Sequence, residues 1–126
     1  MNITESKFGK DHWSTLAFLE TQIVDKAFPI DLRRLRINTT KRNFTNGNPF
    51  GWKDDYSTIL KEGEVSIGHD DIDVIDDLEN LGYIKNNGTH MNIYPMLTDK
   101  GWEACKCIRK HKAGGGSFSD FNIKNK

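Results

Sequence analysis

From Trp13 to Val24 the apolar residues Trp13, Leu16, Ala17, Phe18, Leu19, Ile23 and Val24 recur at helical spacing, and Asp11 stands where an N-cap is wanted. Pro29 ends any continuation, and Asp31 then caps a short basic turn, Leu32 to Arg36, with Leu32 and Leu35 turned inward and the arginines outward. From Ile37 to Trp52 the chain is rich in Asn, Thr and Gly, which predicts a long surface loop. A short helix is expected next, capped by Asp54 or Asp55, with Tyr56, Ile59 and Leu60 inward and a stop near Gly63. Val65 and Ile67 alternate with polar neighbours, as in a brief extended piece.

Asp70 or Asp71 opens a clearer helix, in which Ile72, Ile75, Leu78 and Leu81 fall three apart and Gly82 takes the position after the C-cap. Tyr83 to Lys85 and Ile93 to Leu97 then read as two strands, joined by Asn86, Asn87 and Gly88. Thr98 caps a closing helix with Asp99 in its first turn, Trp102, Cys105 and Ile108 on one face, and basic residues near its C-terminal end. The class expected is mainly α with a small β-hairpin, an α+β chain.

At 126 residues the chain is long enough for one core, and although 36% hydrophobic residues is somewhat polar for a globular chain, its 10% aromatic residues are too many for a disordered segment. One domain, 1–126, is expected, with 113–126 as a tail. No run approaches the roughly 18 apolar residues of a membrane span, and the polar stretch from Met1 to Lys10 does not fit a signal peptide. A cytoplasmic location without membrane contact follows as the expectation. Cys105 and Cys107 lie two apart on the last helix, where they face different ways and cannot bridge.

The stretch from Asp71 to Leu97, with Leu78-Glu-Asn-Leu-Gly-Tyr-Ile84, a polar hairpin and Leu97-Thr-Asp-Lys-Gly101, resembles the second half of winged helix-turn-helix domains. That resemblance implies Asp54 to Lys61 as a second helix and His69 to Leu81 as a third, the one that enters the major groove in DNA-binding members. It also implies a homodimer, since first and last helices pack together in many such domains, often across a subunit interface. Trp13, Trp102, Phe118 and Phe121 are the residues that would suit that interface. A wider likeness, carried by Phe8-Gly-Lys-Asp-His-Trp-Ser14, His69-Asp-Asp71, Leu97-Thr-Asp-Lys-Gly-Trp102 and Arg109-Lys-His-Lys-Ala-Gly-Gly-Gly-Ser-Phe118, is to a family of small uncharacterised bacterial proteins often found on mobile elements. It implies context and no activity.

The formal net charge is zero, but the charge is segregated. Six basic residues and no acid lie between Arg33 and Lys53, ten acids and one lysine between Asp54 and Glu79, and seven basic residues against two acids after Asp99. The third helix would present Asp70, Asp71, Asp73, Asp76, Asp77 and Glu79, which repel phosphate, so a standard recognition helix is not expected. Contacts to double-stranded DNA would fall instead to Arg33, Arg34, Arg36, Lys41 and Arg42, to the hairpin from Lys85 to His90, or to Arg109, Lys110 and Lys112. The alternative is an inhibitor or adaptor, such as a counter-defence protein of a mobile element, whose six carboxylates steer a basic protein partner. No catalytic residue, cofactor or metal site is expected. His12, His69, His90 and His111 lie on four separate elements without metal-ligand spacing, and no Ser or Cys has a nucleophile's setting.

Overall fold

A computed structural model of the chain describes residues 3–38, 56–89 and 92–123. Lys41, Arg42, Trp52, His90, most of the expected 37–52 loop, the start of the expected 54–61 helix and the Leu32 side chain lie outside the described residues. The described parts form a mixed α/β fold of three α-helices and two small antiparallel sheets.

Helix α1, Lys10–Val24, buries Trp13, Leu16 and Leu19, while Val24 at its end is exposed. Its N-cap position is Gly9, so Asp11 is not a cap; it lies inside the first turn and is buried. A 3-10 turn, Leu32–Arg34, follows, and Asp31 Oδ1 accepts the backbone N–H of Arg33, as expected of a capping Asp.

The expected helix through Ile59 and Leu60 is not formed. Strand β1, Thr58–Ile59, pairs with β2, Val65–Ser66, around a 3-10 turn at Lys61–Gly63 in which Glu62 and Gly63 both have positive φ. The physical reason lies in where the backbone donors find acceptors. The N–H of Thr58 goes to His69 O, that of Ile59 to the Asp11 carboxylate and that of Leu60 to Glu64 O. Each partner is distant or beyond the turn, so no helical ladder competes.

Helix α2, Asp71–Asn80, begins in a capping box: Asp70 accepts from Asp73 N, and the Asp73 side chain accepts from Asp70 N. Ile72, Val74, Ile75 and Leu78 face the core. Gly82, at φ +83°, turns the chain into the hairpin of β3, Ile84–Asn86, and β4, Pro95–Leu97. Ile84 lies opposite Leu97, Lys85 opposite Met96 and Asn86 opposite Pro95. Asn86 Oδ1 accepts the N–H groups of Gly88 and Tyr94, closing the turn. One further bond, Ile30 N to Ile93 O, ties the segment after α1 to the hairpin.

Helix α3, Asp99–Ala113, is capped by Thr98, whose hydroxyl accepts Gly101 N and donates toward Gly82 O. Gly101 packs so close to the hairpin that a Cβ there would sit 2.0 Å from Tyr83 O. Cys105 and Ile108 are buried, but Trp102, expected inward, is 42% exposed, because the buried stripe runs through Gly101, Ala104, Cys105 and Ile108 and Trp102 lies to one side of it. Phe121 of the tail is buried edge-on against Trp13. Both rings thus belong to one core cluster that also takes in the inner residues of α1, α2 and α3. They are unavailable to the subunit interface expected of them.

Candidate functional site

Where α1 meets α2 the core is polar. His12 of α1 and His69, just before α2, both hydrogen-bond through Nε2 to Oδ2 of Asp77, at 2.9 and 2.6 Å. A carboxylate only accepts, so each imidazole carries its proton on Nε2. Oδ1 of Asp77 accepts Ile3 N. His12 is fully buried, with Phe8 stacked 4.0 Å away; His69 is 8% exposed and Asp77 2%. Burial holds His12 below the usual imidazole range and outweighs the Asp77 bond that opposes it. Burial alone would raise the Asp77 carboxyl, but the bonds from His12, His69 and Ile3 hold it low.

One residue earlier on α1, Asp11 gathers a second set of donors: Arg36 Nη1 at 2.8 Å, the Tyr56 hydroxyl at 2.8 Å and Ile59 N at 2.8 Å. Arg36 also donates through its backbone N and Nε to Asp71 Oδ2. Burial raises the Asp71 carboxyl against that pull from Arg36, and burial with the Asp11 bond pushes the Tyr56 phenol up.

This network takes several residues expected at the surface. Arg36 is not an outward cation; it is half-buried between two carboxylates. Asp70, Asp71 and Asp77 are buried and internally bonded, so α2 does not present six acids to solvent; only Asp73, Asp76 and Glu79 are half-exposed. The reason is that positions 71, 74, 75, 77 and 78 lie on the side of α2 that packs inward, and Asp70 is its N-cap.

The remaining expected cations among the described residues are spread over several elements, Arg33 and Arg34 on the 3-10 turn, Lys85 on β3, and Arg109, Lys110 and Lys112 on α3. Arg33 is paired with Asp31, and Arg109 with Glu20. Arg34 lies over the Phe18 ring and Lys112 over Phe118, while Lys85 and Lys110 are exposed on β3 and α3.

A different surface does converge. Phe28, Met96 and Trp102, each at least 40% exposed, line an open groove of about 410 Å³ with Ile23, Lys26 and Pro95. Tyr94 extends it, its ring 6.2 Å from that of Phe28. Lys85 and Met96 are directly paired across the hairpin and so project from the same face. Among the described residues the groove lining carries one lysine and no carboxylate.

His12 and His69 lie too far apart in the chain for any spacing rule to join them. A signal was present all the same: Asp11, His12 and Thr15 fall on the same helical stripe as Leu16 and Leu19, where polar groups need partners. Two of the four segments behind the wider family likeness, 8–14 and 69–71, meet here. No protein-family model matches the chain, and neither the curated proteins nor the solved structures hold a match to it.

Proposed function

We propose that this chain is a non-catalytic binding module of winged-helix type that holds a protein partner in the groove between the end of α1, β4 and the start of α3. Its winged-helix character is supported by the order α2, hairpin, α3 and by the Ile30–Ile93 bond, which ties the segment after α1 to the hairpin. The observation that carries the function is the groove itself. Clustered exposed Trp, Tyr, Phe and Met side chains are the residue types that supply most binding energy at interfaces, and they are rarely left in water together. With Lys26 in the groove, Lys85 beside it and no acid in the described lining, the partner segment it fits is apolar with flanking carboxylates.

A photo-cross-linking residue in place of Met96, in the full chain and in its host cell, tests this. The expected result is one discrete adduct whose purified partner binds the chain with a Kd near the micromolar range, at least tenfold more weakly after Trp102→Ala or Lys85→Glu. Both side chains are exposed, so these variants keep the fold. Binding indifferent to both substitutions, or an adduct of the chain with itself, would overturn the proposal; the second result would place a homodimer in the groove.

A second reading, contact with double-stranded DNA, is favoured by one observation: from Tyr83 to Leu97 the chain contains no acid, and Lys85, Lys110, Lys112 and Arg34 are exposed. Such contacts would be to phosphates and so would weaken steeply with salt. Fluorescence anisotropy on a random duplex at two salt concentrations checks this, with Lys85→Glu/Lys110→Glu expected to flatten the salt slope. Absence of any shift at low salt retires it.

A further inference from the structure

From the His12, His69 and Asp77 side chains we propose a binding site for one divalent transition-metal ion of the zinc class, held by two imidazole Nε2 atoms and one carboxylate oxygen. The three donor atoms come from three places in the chain, α1, the turn before α2 and the middle of α2, and all lie within 4.8 Å of one another. All three residues are buried, so the donors are already stripped of most water and held in place by the packing of α1 on α2. The donor set decides the ion: imidazole nitrogen with a single carboxylate suits Zn²⁺ and its neighbours, whereas Ca²⁺ and Mg²⁺ require more oxygens.

Two of the three donor–donor edges are already near metal-site spacing, and the third, between the two Nε2 atoms, is at most 4.8 Å and closes as the ion draws the imidazoles in. Metal–ligand distances of about 2.0–2.1 Å place neighbouring donors about 3.0–3.4 Å apart. The two Nε2–Oδ2 pairs, at 2.9 and 2.6 Å, open by a few tenths of an ångström. To bind, each imidazole presents a bare Nε2 to the ion and carries its proton on Nδ1. Asp77 is oriented for the task, because Ile3 N holds Oδ1 and leaves Oδ2 toward the histidines. His12 Nδ1 is buried with no hydrogen-bond partner, so once protonated it lacks the outer-shell acceptor most metal-bound histidines have. That omission weakens the site by about 10–100-fold relative to a fully supported one. Micromolar affinity is therefore expected. His69, at the slightly exposed edge, marks the side from which the ion enters and where a water completes its coordination.

Cobalt(II) titration of the chelator-stripped full chain, followed by competition with zinc, tests the site. The expected result is a 1:1 end point with the visible bands of four- or five-coordinate cobalt and a Kd below about 100 µM, with His69→Gln weakening binding by about 100-fold. His111→Gln serves as the control, since His111 and Asp120 form a separate imidazole–carboxylate pair near the surface, and it must leave the bands intact. Should His69→Gln fail to fold, X-ray absorption on the zinc-loaded wild type must still show two imidazoles. Absence of cobalt bands, retention of full affinity in folded His69→Gln, or loss of the signal in His111→Gln would each overturn the site. The three residues would then be a hydrogen-bonded strut between the helices.

Discussion

Asp11 holds together parts of the chain that have no other reason to meet. Its two oxygens accept from Arg36, from the Tyr56 hydroxyl and from Ile59 N, so one buried carboxylate joins α1 to the segment ending at 38 and to β1 with the residue two before it. Replacing it with alanine leaves a half-buried guanidinium with one carboxylate instead of two, and strands a hydroxyl and a backbone N–H. The expected loss for Asp11→Ala is about 3 kcal/mol, read from urea denaturation. Asp11→Asn, which keeps an acceptor but not the charge, should lose less. Equal stability of Asp11→Ala and wild type would contradict the assignment. The sequence position of Asp11, just ahead of an apolar stripe, invites reading it as a cap; what identifies its role is a set of donors 25 to 48 residues away. That Asp11 sits on the apolar stripe is legible in the chain, but its partners are not, because tertiary contacts alone supply them.

Elements whose reasons are local were legible. In α2 the Asp70 and Asp73 capping box, the apolar stripe and Gly82 all sit within a dozen residues, and in α3 Thr98 and Gly101 do the same. Strand β1 was not, because Thr58 and Ile59 take their shape from His69 and Asp11. Two variants probe this scale. Asp70→Ala removes the cap and the acceptor for Asn38 N, with an expected loss of about 1–2 kcal/mol. Gly101→Ala drives a methyl group against Tyr83 O, so α3 must shift from the hairpin at an expected cost of about 1–3 kcal/mol. Thermal melts of both check the ranking. A Gly101→Ala protein as stable as wild type would mean that α3 does not rest on the hairpin as described.

Among the described residues, folding pairs part of the segregated charge of the sequence. Arg36 pairs with buried acids of α1 and α2, while Arg33 pairs with Asp31 of its own turn, an exposed pair that contributes little to stability. What makes the folded chain respond to pH on the alkaline side is burial. Cys105 is pushed from the usual 9 to about 12 by its apolar surroundings, and Tyr56 and Tyr83 are also raised. A raised folded-state pKa means that the native protein keeps a proton the unfolded chain gives up. Stability is therefore intact below pH 9 and falls as pH climbs toward 12. For Cys105 alone the loss at pH 10 is on the order of 1 kcal/mol, since the unfolded thiol is by then mostly ionised while the native one is not. Urea midpoints measured from pH 7 to 10.5 should hold level and then decline, and Cys105→Ala, although less stable at pH 7, should decline less steeply. The same burial keeps the native thiol protonated at pH 8, so a thiol reagent should label half-buried Cys107 quickly and Cys105 only on unfolding. Rapid labelling of both thiols in the folded protein would show that the core around Cys105 opens to water, and the alkaline decline would then need another source.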